Sequence, residues 1–219
     1  MRRLFEDFDA RLLAAAMPIE DRRSELAHEE TGPVERVAAR RVLEYSSGRS
    51  LARNLLRRMG ADHPVVTRTP DRSPRWPTGF VGSIAHCEGR CVAVVGLARD
   101  FAAVGIDVEP AQPLEEGLFA TILAPVEHEH VMSLDPSARG LEVRRVFVAK
   151  EAAYKCLYPQ IGVFLDFHDV RIELDDAGRR FSIDVEHPSA RGIELEGRFV
   201  EQDGWFHALV AARALVRAP

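Results

Sequence analysis

Cysteine is scarce in this sequence, long apolar runs are missing, and positive charge is not in excess. Three cysteines among 219 residues (Cys87, Cys91, Cys156) are odd in number and match no zinc-ligand spacing, which argues against a disulfide scaffold or a structural zinc site. They read as reduced, buried thiols of a cytoplasmic protein. No apolar stretch approaches the roughly 20 residues that cross a bilayer, so no membrane association is expected. The N-terminal stretch MRRLFEDFDARLLAAAMPIEDRR has two early arginines, but acidic residues follow at once and its apolar part is short. It reads as mature protein and not as a leader. A net charge of −5 argues against a surface built for nucleic acid. No internal repeat is visible.

Hydrophobic residues make up 46% of the chain, enough for a globular interior in one large domain or two small lobes. The basic residues are unevenly spread. Between Arg36 and Arg75 lie Arg40, Arg41, Arg49, Arg53, Arg57, Arg58, Arg68 and Arg72, opposed only by Glu44, Asp62 and Asp71. A cationic segment inside an acidic protein points to a local anion site, with a solvated helix face as the alternative.

Residues 34–59 approximate a helical stripe (Val34, Val37, Val42, Tyr45, Leu51, Leu55, Met59), with Gly60 placed to end it and Gly48 as an interior point where it can break. Residues 61–79, with Pro64, Pro70, Pro74 and Pro77, read as an extended loop. Short valine-rich runs at 80–84, 91–97 and 104–108 read as strands, and Pro110–Pro113 as a linker. Helical stretches follow near 125–134 and 140–158. Strand-like runs come at 169–174, 180–185, 193–200 and 205–212, with turns at Asp176–Gly178 and Asp203–Gly204. The pattern predicts an α+β protein of two lobes, 1–110 and 111–219, with a cleft between them.

Three features can carry chemistry. In Gly105-Ile106-Asp107-Val108-Glu109-Pro110, strand alternation puts Asp107 and Glu109 on one face and Ile106 and Val108 on the other. Two adjacent carboxylates suit a hard cation such as magnesium, which commonly takes one or two protein carboxylates plus phosphate oxygens. A strand end with its acids in water fits the same residues. In Phe147-Val148-Ala149-Lys150-Glu151-Ala152-Ala153-Tyr154-Lys155, Glu151 and Lys155 stand one turn apart on one helix face. By itself that is an ordinary surface pair; beside the strand carboxylates it offers a third metal ligand or a base, and a cation for phosphate. Third, His86 follows Trp76-Pro77-Thr78-Gly79-Phe80-Val81-Gly82-Ser83-Ile84-Ala85, where it can donate to a phosphate or serve a structural role. The Glu127-His128-Glu129-His130 run looks metal-like, but histidines two apart diverge on a helix, so it is expected to be a polar helix face.

In order along the chain, these blocks resemble the 4′-phosphopantetheinyl transferases of the surfactin-synthetase-activating type, most closely the subgroup that includes the enterobactin synthase component D enzymes. The blocks are Arg41…Glu44-Tyr45…Arg49…Arg53, Trp76-Pro77…Gly79…Gly82-Ser83-Ile84-Ala85-His86, Gly105-Ile106-Asp107-Val108-Glu109 and Phe147…Lys150-Glu151-Ala152…Lys155, over about residues 36–158. The resemblance implies two similar lobes related by a pseudo-two-fold, with the active site in the cleft. It implies magnesium, or manganese, on Asp107, Glu109, Glu151 and the Val108 carbonyl. Arg41, Arg49, Arg68, His86, Lys150 and Lys155 would bind coenzyme A, with Glu151 and Lys155 catalytic. Phe147 stands where the family often has Trp, and Ala85 where it often has Ser or Thr. The implied reaction moves phosphopantetheine onto a serine of an acidic helical carrier protein of fatty-acid, polyketide or nonribosomal-peptide synthesis (siderophore pathways included), by a monomeric cytoplasmic enzyme. The alternatives are a magnesium-dependent nucleotide phosphohydrolase and a non-catalytic coenzyme A binding protein.

Overall fold

A computed structural model describes residues 2–6, 8–32, 38–175 and 177–214. The chain forms two compact units, one of residues up to Val104 together with Ala214, the other Gly105–Arg213.

The first unit contains β1 (Arg2–Leu4), β2 (Leu12–Pro18), α1 (Ala39–Arg58), a small hairpin of β3 (Thr67–Arg68) and β4 (Pro74–Arg75), then β5 (Phe80–Cys87) and β6 (Arg90–Leu97). Its sheet runs β1-β2-β6-β5. Glu88 and Gly89 both have positive φ, as a two-residue turn whose twist matches its strands requires, and they set the β5–β6 register Cys87↔Arg90. The Ala14–Ala16 run, in the short apolar part of the N-terminal stretch, is a strand because it pairs with Val92–Val94 of β6. Leu51, Ala52, Leu55 and Leu56 of α1 pack with Ala15, Met17, Ala93 and Val95 of the sheet, and this forms the unit's core. The expected start of that helix, Val34 and Val37, lies outside the described residues, as do Arg36 and Asp176.

Helix α1 is not broken at Gly48. A Cβ there would stand 2.9 Å from Ile84 Cγ2, so the glycine lets α1 approach β5 closely. Gly60 ends the segment in the left-handed region (φ 84°), as its place in the sequence predicts. The proline-rich 61–79 stretch, expected to be an extended loop, holds the β3–β4 hairpin.

The second unit takes up β7 (Phe101–Pro110) from Gly105 on, then α2 (Phe119–Ile122), α3 (Pro125–Ser133), α4 (Pro136–Ile161), β8 (Val170–Leu174), β9 (Arg180–Val185), β10 (Leu195–Gln202) and β11 (Trp205–Arg213). Its sheet runs β7-β11-β10-β9-β8, with α4 across β11 and β8. The long helix starts on Asp135, whose side chain accepts from Ser137 N at 2.9 Å, and stops at Gly162 (φ 63°). Its buried face is Val143, Val146, Ala149, Ala152, Ala153, Cys156 and Leu157. The small residues there allow the helix to lie close against β7 and β11. Among the described residues no helix is long and apolar enough to cross a membrane.

Candidate functional site

Gly105, Asp107 and Glu109 share one face of β7. A Cβ on Gly105 would collide with the Ala152 carbonyl oxygen and stand 2.6 Å from Cys156 N, both backbone atoms of α4. Only glycine permits that approach, and it brings the next residues of the strand against the helix. Asp107 receives a hydrogen bond from Lys155 Nζ, and Glu109 Oε2 receives one of 2.6 Å from Arg144 Nη1. As the strand runs back from Glu109 to Gly105, its contacts climb α4 from Arg144 to Cys156.

Lys155 Nζ also stands 3.8 Å from Glu151 Oε2, so Asp107 and Glu151 share one ammonium. Asp107 is 5% exposed, while Glu151 and Lys155 are half-buried. Burial pushes the Glu151 carboxyl above its ordinary range; the Lys155 charge draws it back, and the Asp107 charge adds to the rise. Burial works against the Lys155 charge too, but Asp107 and Glu151 outweigh it and hold the ammonium above its usual value. The structure thus unites the predicted Asp107, Glu151 and Lys155, and adds Arg144 as the partner of Glu109, which sequence reasoning did not single out. Among the described residues no three acidic, histidine or cysteine side chains form a ready metal cage. Magnesium commonly does without one, keeping water and substrate oxygens in its shell. Carboxylate and carbonyl oxygens are the hard donors it takes, and a buried carboxylate crowded by a second one gains most from a cation. The donor set fits.

The predicted basic residues come together in the first unit. Arg41, Arg49, Arg68 and Arg72, with His86, line a pocket of about 470 Å³ that holds one carboxylate, Glu44. Glu44 accepts from Arg40 Nε (2.8 Å) and Arg41 Nη1 (3.4 Å) and lies 3.8 Å from His86 Nδ1, so it holds Arg41 at the pocket wall beside His86. Arg49 is 6% exposed, stacks on the Tyr45 ring at 4.6 Å and donates to Thr67 O at 3.3 Å. Its burial lowers its pKa, which marks a guanidinium poor in water and suited to an anion. Gly82 leaves room for the Trp76 ring, where a Cβ would sit 2.6 Å from two ring carbons. That packing explains the Trp76…Gly82 spacing.

Two expectations change. Lys150 does not face Asp107 or Glu109: its side chain is 1% exposed and its ammonium donates to Ile122 O (2.8 Å), Glu127 Oε2 (2.6 Å) and Phe167 O (2.8 Å). Three donors and three acceptors leave the expected contact with coenzyme A without support. Glu127 is not part of a polar helix face, being 5% exposed, whereas Glu129 and His130 are exposed as expected. Phe147, in the place often held by Trp, packs against Phe167 with ring centroids 5.6 Å apart. Ala85 is buried and brings no hydroxyl.

Residues 28–96 match the family model of the 4′-phosphopantetheinyl transferase N-terminal domain, and residues 103–205 that of the 4′-phosphopantetheinyl transferase superfamily. Over 201 residues the chain is 36% identical to the 4′-phosphopantetheinyl transferase Svp of Streptomyces mobaraensis, covering 87% of this chain and 78% of that protein. It is 36% identical over 152 residues to the 4′-phosphopantetheinyl transferase PptT of Mycobacterium tuberculosis (68% of this chain, 66% of that one). With the enterobactin synthase component D of Escherichia coli O157:H7 it shares 34% over 133 residues (58% and 61%). The chain belongs to the 4′-phosphopantetheinyl transferase superfamily and is an enzyme of that type.

Proposed function

We propose that this enzyme transfers the 4′-phosphopantetheine of coenzyme A to a serine of an apo carrier protein and releases 3′,5′-adenosine bisphosphate. The observation that carries the assignment of roles is the sharing of Lys155 by Asp107 and Glu151. It sets a charged donor and a carboxylate of raised pKa one helical turn apart beside a strand carboxylate.

In the reaction the serine Oγ bonds to the β-phosphorus of coenzyme A while the bridging P–O bond to the α-phosphate breaks. The serine proton goes, directly or through a water, to Glu151, a carboxylate one helical turn from Lys155. Lys155 donates to the pyrophosphate oxygens where negative charge builds. Asp107, Glu109, Glu151 and the Val108 carbonyl would hold magnesium, which when bound neutralises pyrophosphate charge. Arg41, Arg49, Arg68 and His86 take phosphate groups of coenzyme A, the 3′-phosphate among them, in a pocket where four arginines face one carboxylate. The acceptor is an acidic helical carrier protein or domain of fatty-acid, polyketide or nonribosomal-peptide synthesis, modified by a cytoplasmic monomer.

The test is to incubate the protein with magnesium, coenzyme A and several apo carrier proteins and weigh each carrier intact. A gain of one phosphopantetheine is expected. No gain on any carrier, with coenzyme A still bound, rejects transfer; hydrolysis of coenzyme A without carrier modification points to a phosphohydrolase.

A further inference from the structure

Glu127 is buried on α3, yet each carboxylate oxygen is used. Oε1 accepts from Ile172 N of β8 at 2.7 Å, and Oε2 accepts from Ala124 N at 2.7 Å and from Lys150 Nζ at 2.6 Å. Lys150 completes the set through Ile122 O and Phe167 O. One carboxylate and one ammonium thus tie α4 to the end of α2, the start of α3, the turn before β8 and β8 itself. The tie falls on the residue immediately before Glu151.

A buried ion pair seldom stabilises more than apolar packing of the same volume, so its presence calls for a reason other than stability. Around it α4 presents Ala149, Ala152 and Ala153, small side chains that interlock less firmly than Val143, Val146 and Leu157 of the same buried face. Geometric demands are tight at the same place, because Glu151 and Lys155 must meet Asp107.

The first unit repeats the device. Glu30, fully buried, accepts from Val66 N at Oε1 (2.8 Å) and from Ala27 N at Oε2 (3.0 Å), and pairs through Oε2 with Arg53 Nη1 (3.3 Å). Each glutamate stands three residues after an alanine whose amide it accepts, Ala27 and Ala124, and each alanine follows a leucine, Leu26 and Leu123. In both cases the cation comes from the long helix of the unit, at or within one turn of a residue assigned to the site: Arg53 is four residues after Arg49, and Lys150 is one before Glu151.

We propose that Glu127 and Lys150 are positioning residues that fix the rotation of α4 so that Glu151 and Lys155 meet Asp107. This rests on the roles given above to Glu151 and Lys155, and its test separates the two. Lys150→Met keeps the aliphatic stem and both amide bonds to Glu127. Glu127→Gln/Lys150→Met removes both charges and leaves no unpaired one, which keeps a folded variant within reach, at the loss of one amide bond because the glutamine nitrogen cannot accept. Two quantities are measured on whole protein: amide hydrogen exchange of the peptide over residues 147–155 against the rest of the second unit, and kcat and KM for coenzyme A per folded molecule.

The expected result is exchange at least tenfold faster confined to 147–155. With it, kcat falls about 10- to 100-fold and KM stays within about twofold, as when a residue that orients a ligating side chain is lost. Exchange that is unchanged, or faster evenly across the unit, overturns the proposal. So does a local loosening that leaves kcat per folded molecule intact. If the unaltered protein transfers nothing to any carrier, the proposed reaction fails by itself, and the confined exchange effect decides the positioning role.

Discussion

Gly105→Ala adds one methyl group where β7 crosses α4. The new Cβ would overlap the Ala152 carbonyl oxygen and lie 2.6 Å from Cys156 N. Both are backbone atoms of a helix packed on its sheet, so no side-chain rotation relieves the clash, and strand and helix must separate by on the order of 1 Å. Overpacking of this kind costs about 1–3 kcal/mol. At about 2–4 °C per kcal/mol for a chain of this size, Tm falls by about 2–12 °C. The effect on chemistry is larger in proportion. Asp107 and Glu109 lie two and four residues farther along the displaced strand, and misplacing reacting groups by about 1 Å costs on the order of 100-fold in rate. The assay pairs thermal unfolding with carrier modification followed by intact mass, at a temperature where the variant is fully folded. A Gly105→Ala variant with unchanged Tm and full turnover would refute the claim that close strand–helix contact sets the site.

Two further outcomes follow from the first unit and from the buried thiols. Arg49→Ala should weaken coenzyme A binding by about tenfold or more, read by titration calorimetry, because it removes a nearly buried guanidinium held on the Tyr45 ring; unchanged affinity would remove this residue from the anion pocket. Burial pushes the Cys91 and Cys156 thiols up to about 12, so at pH 8 both are protonated and enclosed. Native protein treated with iodoacetamide should therefore take up at most one label, on Cys87, and denatured protein three. The sign of the linked stability is fixed as well: a thiol with a folded pKa above its unfolded 9.0 contributes fully below that value, and the contribution is lost as pH rises toward about 12. Rapid native labelling of Cys91 or Cys156 at pH 8 would contradict their burial.

Much of the architecture was legible because pattern and packing agree. Valine-rich runs located β5, β6 and the middle of β7, and strand-like runs located β8 to β11; Gly60 and Asp203-Gly204 marked chain reversals that need positive φ. The Ala14–Ala16 strand was not legible, since alanine favours helix and only its partners on β6 decide the matter. Gly48 looked like a helix breaker because sequence shows its propensity and not the Ile84 methyl group lying against it. In the site, periodicity put Asp107 with Glu109 on one strand face and Glu151 with Lys155 on one helix face, and only their combination in order along the chain singled them out. Glu44, Glu127 and Lys150 could not be placed, because charged residues default to the surface and the Lys150–Glu127 partner is 23 residues away. One signal was available: the Leu-Ala-x-x-Glu spacing occurs at Leu26–Glu30 and again at Leu123–Glu127.

The most direct test of the proton-accepting role of Glu151 is a single-turnover transfer to an apo carrier protein by Glu151→Gln beside the unaltered enzyme, with magnesium and saturating coenzyme A. Removal of a positioned base is expected to slow transfer about 10²- to 10⁴-fold at saturating coenzyme A while Tm stays close to that of the unaltered protein. Transfer by the Glu151→Gln variant within a few-fold of the original rate would contradict it.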